Sequence, residues 1–321
     1  MARVLITDHV FPGLDIEHEV LSAIDGEVVL APSTDEDTLV DLARDVDGIL
    51  VCFAAVTERV VDAAAAGGCR VIARYGIGYD NVAVGAATGH GIVVTNVPDY
   101  CLDEVADHTM AMLLDVARGI TAASRAVASG GWAIDHSGIH RIAGRRLALI
   151  GLGGIGRRVA ARAQAFGLEV VGFDPFLDPF DVPGVGQATT LEDAVCDADF
   201  ISLHVPATPE NYHLIGFEAI DAMRAAPVLI NSARGVLVDL DAVLQGLEAG
   251  ALGAAALDVT EPEPLPEAHP LRNHPRALIT PHMAFHSVEA TEELQRRAAT
   301  EVRRVLSGEI PSRPVNPQVL R

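Results

Sequence analysis

The chain has 321 residues, half of them hydrophobic (50%), a mean hydropathy of +0.29 and a formal net charge of −21. That length leaves room for about two domains with cores of their own, and the apolar share excludes long disordered tracts. The charge excludes nucleic acid and anionic membranes as partners; lysine is absent, so local positive charge rests on individual arginines.

The first residues, Met1-Ala2-Arg3-Val4-Leu5-Ile6-Thr7-Asp8, enter an apolar strand with no basic segment ahead of it. No signal peptide is expected, and no apolar run is long enough to cross a bilayer, which points to a cytoplasmic protein. Strands are predicted over residues 3–7, 27–30, 48–51, 70–73 and 92–95, with helices such as 35–44 and 57–66 between them. Such alternation predicts a parallel sheet covered on both faces. Cys52, Cys69, Cys101 and Cys196 are scattered without a CxxC pair, so free buried thiols are expected and a metal site is not.

Asn96-Val97-Pro98-Asp99 breaks the pattern, and one long helix is predicted over 102–128, closed by Gly130-Gly131, as a bridge between domains. A second alternating block follows, with strands over 146–150, 169–173, 200–203, 228–230, 254–257 and 278–280, and helices over 191–196, 217–225 and 240–249. Asp239 is placed to cap the last of these helices and Gly250 to stop it. Ser287 is placed to cap a final helix reaching Leu306, just before Gly308, long enough to return to the first domain. The chain therefore reads as α/β, with two doubly wound parallel-sheet domains. Residues 99–285 form a domain inserted between the two pieces, 1–98 and 286–321, of a smaller one.

Gly151-Leu152-Gly153-Gly154-Ile155-Gly156 follows the apolar run Arg146-Leu147-Ala148-Leu149-Ile150. Strand, glycine turn and a helix opening near Gly154 together make a cradle for a pyrophosphate. The first glycine allows the turn, the second lets phosphate approach the backbone, and the third packs the helix on the sheet. Asp174 ends the next strand, where an acid accepts bonds from an adenosine ribose and repels a 2′-phosphate. The cofactor expected is thus NAD, as NADH in the reductive direction.

Ligands of open parallel sheets gather beyond the carboxyl ends of the strands. Those ends carry Gly151, Asp174, His204, the Asn231-Ser232-Ala233-Arg234-Gly235 turn, Asp258 and Thr280-Pro281-His282. Hydride transfer to a 2-keto acid needs a forked cation for the carboxylate, and Arg234 fits. The carbonyl oxygen needs a proton, and His282 fits. The imidazole needs a carboxylate to orient it, and Asp258, Glu261 and Glu263 are all near in sequence. Spacing does not choose among these acids, nor between His282 and His286.

With these motifs in place, the chain resembles the NAD-dependent D-isomer-specific 2-hydroxyacid dehydrogenases over nearly its whole length. The resemblance implies a Rossmann-type NAD domain inserted into a flavodoxin-like substrate domain. It selects Glu263, just before Pro264, as partner of the acid–base His282, and it makes Arg234 the third catalytic residue. It places Asp258 toward the nicotinamide carboxamide, and His204, Val205 and Pro206 along the adenosine, with Ser232 and Ala233 also at the cofactor. Arg74-Tyr75-Gly76-Ile77-Gly78-Tyr79-Asp80-Asn81 resembles the loop whose amides hold the substrate carboxylate, at Gly76 and Ile77. Phe53 and Phe285 stand as further substrate contacts, and His108, on the bridging helix, as a packing residue. A homodimer built on the nucleotide domains is implied, with a small 2-keto or 2-hydroxy acid as the other partner. Asp103-Glu104-Val105-Ala106-Asp107-His108 and the residues around His282 are most similar to the branch that contains the C-terminal-binding proteins, which usually carry tryptophan where Phe285 stands. That branch supplies a second reading, an NAD(H)-sensing corepressor-like interaction protein with weak or vestigial turnover.

Overall fold

The computed structural model describes residues 2–133 and 139–320; His136, expected to be an ordinary residue, lies outside them. The chain divides into two compact units, Met1–Tyr100 with Ser287–Arg321, and Cys101–His286.

The first unit holds five parallel strands, β1 (Arg3–Ile6), β2 (Glu27–Leu30), β3 (Gly48–Val51), β4 (Val71–Arg74) and β5 (Val93–Thr95), in the order β2-β1-β3-β4-β5. That is the doubly wound order of flavodoxin-like sheets. Every residue of β3 and β4 is buried, as uninterrupted apolar runs between two helical layers require. Helix starts follow local chemistry: Asp35 accepts the Thr38 N–H, Thr57 the Val60 N–H, and Ser287 the Ala290 N–H. The helix that Ser287 opens, Val288–Leu306, packs on β3, β4 and the helix Asp15–Ser22, burying Leu294, Ala298 and Val302. His286 lies two residues ahead of this helix and is exposed.

The second unit holds seven parallel strands, β6 (Arg146–Ile150), β7 (Glu169–Phe173), β8 (Val185–Gln187), β9 (Phe200–Leu203), β10 (Val228–Asn231), β11 (Ala254–Leu257) and β12 (Ala277–Ile279). Their order is β12-β11-β10-β9-β6-β7-β8, a Rossmann order with one further strand at its edge. Strand β8 is absent from the sequence expectation because Val185-Gly186-Gln187 is short and mostly exposed, with no apolar period to read.

The one long helix expected over 102–128 is two helices of the second unit, Leu102–Arg118 and Ile120–Ala128. Gly119, with φ 63°, turns left-handed and sends its N–H to the Asp115 and Val116 carbonyls. The Asp115 carboxylate then accepts the N–H and hydroxyl of Thr121, both at 2.9 Å, opening the second helix at once. The first helix buries Val105, Ala106, Thr109, Met110, Met112 and Leu113, whereas the second buries none of its residues. Cys52, Cys69 and Cys101 are buried free thiols and Cys196 is half-buried. Burial pushes both Cys52 and Cys69 up to about 12, so neither forms a thiolate near neutral pH.

Glu17, fully buried, accepts the Tyr75 hydroxyl at 2.9 Å and the Gln295 amide at 3.0 Å, joining two helices to the end of β4. Burial holds the Tyr75 hydroxyl well above its usual range, so it stays a donor. Removing that donor leaves a buried carboxylate oxygen short of a partner. Tyr75→Phe is expected to cost about 1–3 kcal/mol in urea unfolding, and an unchanged midpoint contradicts this account.

Candidate active site

Because β6 to β12 run parallel, their carboxyl ends share one edge of the second sheet. Between β6 and β9 the order reverses, and the ends of these two strands come close there. A side-chain carbon at Gly151, whose φ is 95°, would lie 2.6 Å from the His204 carbonyl. Gly153 has no protein atom within 4 Å of the same position and is exposed at the start of the helix Gly154–Ala165. Open space above a helix N-terminus suits a pyrophosphate. Ile155 is half-buried and Gly156 buried, where an added carbon would strike the Gly151 carbonyl.

Asp174 sits beside this turn. Its carboxylate accepts the Leu152 N–H at 2.9 Å and the Phe176 N–H at 3.0 Å, so it also shapes the glycine loop. A dinucleotide therefore fits these residues: Gly153 and Gly154 would meet the pyrophosphate and Asp174 the ribose. His204 lies across the crevice with Nε2 2.9 Å from the Ser202 hydroxyl; Val205 is half-buried and Pro206 exposed. Burial pushes the His204 imidazole down to about 4, so near neutral pH it offers a neutral surface and no positive charge.

The Arg234 turn is held by Asn231, which is fully buried. Asn231 Nδ2 donates to the Arg234 carbonyl at 2.8 Å, and its Oδ1 accepts the Ala233 N–H at 3.0 Å. Gly235 lets the turn press on the next loop, since an added carbon would stand 2.1 Å from the Thr260 carbonyl. Arg234 Nη1 donates to the Ala233 carbonyl at 2.7 Å, and the Ser232 hydroxyl is 2.8 Å from Thr109 Oγ1. The staple by Asn231 went unread in the sequence, although an Asn two residues before a turn residue is a recognisable Asx-turn signal.

Glu263 Oε1 lies 2.7 Å from His282 Nδ1. Glu261 instead stands 3.7 Å from His213, and His286 gives its N–H to the Met283 carbonyl. The three acids that spacing left open thus have different places. Asp258, 1% exposed, turns its carboxylate into the chain. It accepts the Thr280 hydroxyl at 2.5 Å, and the Met283 and Ala284 N–H groups at 2.9 Å each, while its carbonyl accepts the His282 N–H at 2.8 Å. Asp258 therefore brackets His282, whose φ of 51° is left-handed, a region sparsely used by residues other than glycine. The resemblance also implies that Asp258 faces a nicotinamide carboxamide; within the chain its bonds build the histidine turn. Phe285 meets the His282 ring edge-on, with centroids 6.3 Å apart.

In the first unit, Asn96 Nδ2 donates to the Ile77 carbonyl at 2.7 Å, and Val97 N–H to the Gly76 carbonyl at 3.0 Å. The Gly76 N–H closes on the Arg74 carbonyl at 3.0 Å, which puts it inside the turn. Gly76 has φ 145°, and Arg74 Nη1 occupies the place a side chain there would take. Phe53 is 41% exposed, with the Arg74 guanidinium 6.0 Å from its ring centre. Asp8 accepts the N–H groups of Cys52, Phe53 and Ala54, and Asn81 Nδ2 donates to the Cys52 and Ala54 carbonyls. Asn81 closes the 74–81 loop already singled out in the sequence, whereas Asp8 was passed over there, because its partners are backbone groups remote in the chain.

The His204 environment has a consequence for stability. The unfolded chain binds this proton near pH 6.5 and the folded chain only near 4, so the stabilising contribution is complete above about 6.5 and lost as pH falls toward 4. Between pH 7 and 4.5 the wild type is expected to lose up to about 3 kcal/mol relative to His204→Gln in urea unfolding. Parallel curves for the two proteins contradict it.

Residues 110–284 match the sequence model of the D-isomer specific 2-hydroxyacid dehydrogenase, NAD binding domain. The D-3-phosphoglycerate dehydrogenase of Methanocaldococcus jannaschii is 36% identical over 98% of this chain, which spans 60% of that relative. Other curated phosphoglycerate dehydrogenases are spanned over only 55% of their length. The glyoxylate reductase of Thermofilum pendens is 34% identical, with 97% of this chain and 93% of that protein covered. Among solved structures, the D-lactate dehydrogenase of Aquifex aeolicus complexed with NAD and lactic acid superposes with a TM-score of 0.88 at 26% identity, covering 98% of this chain and 99% of that one. With an NAD binding domain matched over residues 110–284 and likeness over 98% of its residues, the chain belongs to the D-isomer specific 2-hydroxyacid dehydrogenase family.

Proposed function

We propose that this protein is an NAD-dependent oxidoreductase that interconverts a small 2-keto acid and its D-2-hydroxy acid. The observation that carries the reading is the Glu263–His282 pair at 2.7 Å, at the same sheet edge as the Arg234 turn and the glycine cradle. A nicotinamide cofactor held at the glycine cradle would supply hydride in reduction and take it up in oxidation. His282 gives its proton to the carbonyl oxygen from the ring nitrogen that Glu263 does not hold. Glu263 fixes the ring and balances the positive charge it carries before that transfer. Arg234 pairs with the substrate carboxylate, and its fork keeps the carbonyl oriented toward the proton donor.

Ser232, Ala233, Val205 and Pro206 are assigned to the cofactor surface, with Gly151, Gly153, Gly154, Ile155, Gly156 and Asp174. Ile77, with the Gly76 turn behind it, and Phe53 are assigned to the substrate in the first unit. Phe285, edge-on to His282, supports a substrate with an apolar or uncharged side chain. NAD is preferred to NADP because the Asp174 carboxylate faces the ribose position and Pro175 and Phe176 bring no cation. A homodimer is proposed on the helix Ile120–Ala128, which leaves Ile120 58% and Val127 49% exposed.

NADH oxidation against a panel of 2-keto acids tests the reading, and turnover on none of them overturns it. Glu263→Gln is expected to lower kcat by roughly 10- to 100-fold; wild-type turnover removes the pair from the mechanism. Arg234→Ala is expected to raise KM and lower kcat together, because the guanidinium meets substrate in both ground and transition states. NADPH is expected to bind at least about ten-fold more weakly than NADH, and equal affinities in a fluorescence titration contradict the Asp174 assignment.

A further inference from the structure

Two consecutive residues of the helix Leu102–Arg118 touch the two turns that carry the proposed chemistry. His108 Nε2 lies 3.2 Å from Thr280 Oγ1 and 3.6 Å from Asp258 Oδ1. Thr109 Oγ1 lies 2.8 Å from Ser232 Oγ, two residues before Arg234. The direction of each bond follows from the protons available. Thr280 has one hydroxyl proton, which goes to Asp258, so its oxygen accepts from His108 and the His108 ring carries its proton on Nε2. Thr109 gives its proton to the Val105 carbonyl at 2.7 Å, so Ser232 is the donor to Thr109.

The chain of bonds then continues to both reaction groups. From His108 it runs through Thr280 to the Asp258 carboxylate, which holds the N–H groups of Met283 and Ala284 on the far side of His282. From Thr109 it runs through Ser232 into the turn that Asn231 staples around Arg234. The helix itself is anchored in the core by Val105, Ala106, Met110 and Leu113, so it does not drift with either turn. His108 is only partly buried, its ring 20% exposed, and packing alone does not account for a polar ring aimed at Thr280.

We propose that His108 and Thr109 are positioning residues: one step of a buried helix sets the spacing between the His282 turn and the Arg234 turn. The proposal rests on the assignment of those two side chains to the reaction. It goes beyond a packing role for His108, because it requires the Nε2 proton and not merely the volume of the ring. A displacement of about 1 Å at a reacting group is enough to cost as much as 10²-fold in rate, so a brace of this kind has a kinetic reading.

The test compares His108→Leu with His108→Gln, and Thr109→Val with Thr109→Ser, by kcat, by the Kd of NADH and by amide hydrogen exchange. His108→Leu is expected to lower kcat about ten-fold or more, to leave the NADH Kd within about two-fold, and to speed exchange at Met283 and Ala284. Gln, which keeps a donor, is expected to recover most of both losses. Thr109→Val is expected to lower kcat and to speed exchange at Ala233 instead, with Ser restoring both. Wild-type kcat and exchange in His108→Leu overturn the proposal. Equal losses in the Leu and Gln variants also overturn it, since they assign the effect to ring volume. If the wild type turns over no 2-keto acid, the functional reading fails, and the exchange rates alone still decide whether the brace exists.

Discussion

The Asp258 carboxylate is a charge with almost no access to water, so it must find its hydrogen bonds in the chain. It finds them in the Thr280 hydroxyl and in the Met283 and Ala284 N–H groups, all around His282. A buried carboxylate left short of donors is costly, and that cost is what holds the turn in one shape. His282 takes a left-handed backbone conformation as part of the same bargain, and this carries its ring to Glu263. Strain at one residue persists because the neighbours over-determine it.

The parallel sheet does the coarser part of the placement. Strands β6, β9, β10, β11 and β12 deliver the glycine turn, His204, the arginine turn, Asp258 and the histidine turn to a single edge. Small residues then set how closely the loops approach one another. Gly151 admits the His204 carbonyl and Gly235 admits the Thr260 carbonyl, each at a distance no side chain would allow. Asp174, Asn231 and Asp258 each bond backbone groups of these loops.

Electrostatics sharpen the assignment of roles. In a lysine-free chain of net charge −21, every permanently positive side chain is an arginine, so the histidines are the remaining side chains that can turn positive. The two histidines at strand ends differ in surroundings. His204 has a buried hydroxyl for a neighbour and stays neutral near pH 7, while His282 has a carboxylate at 2.7 Å. These surroundings support the proposed roles, His204 at a neutral nucleotide surface and His282 in proton transfer.

Much of this was legible from residues 1 to 321 read in order. Apolar runs of four or five residues separated by capped helices dictate a parallel α/β fold, because burial on both faces and the period of the pattern are local properties. The glycine spacing before a helix, the acid at the end of β7 and the cap at Ser287 are local in the same sense. What the linear order did not contain was direction. Whether Glu261 or Glu263 meets His282, whether Asp258 faces outward or brackets a turn, and that His108 reaches Thr280 all depend on which way a side chain leaves its backbone. The break at Gly119 depended likewise on the Asp115 carboxylate reaching forward to cap a second helix. Local periodicity determines which elements form, whereas the partners of a buried polar group are chosen only once distant loops have been brought within a hydrogen bond of each other.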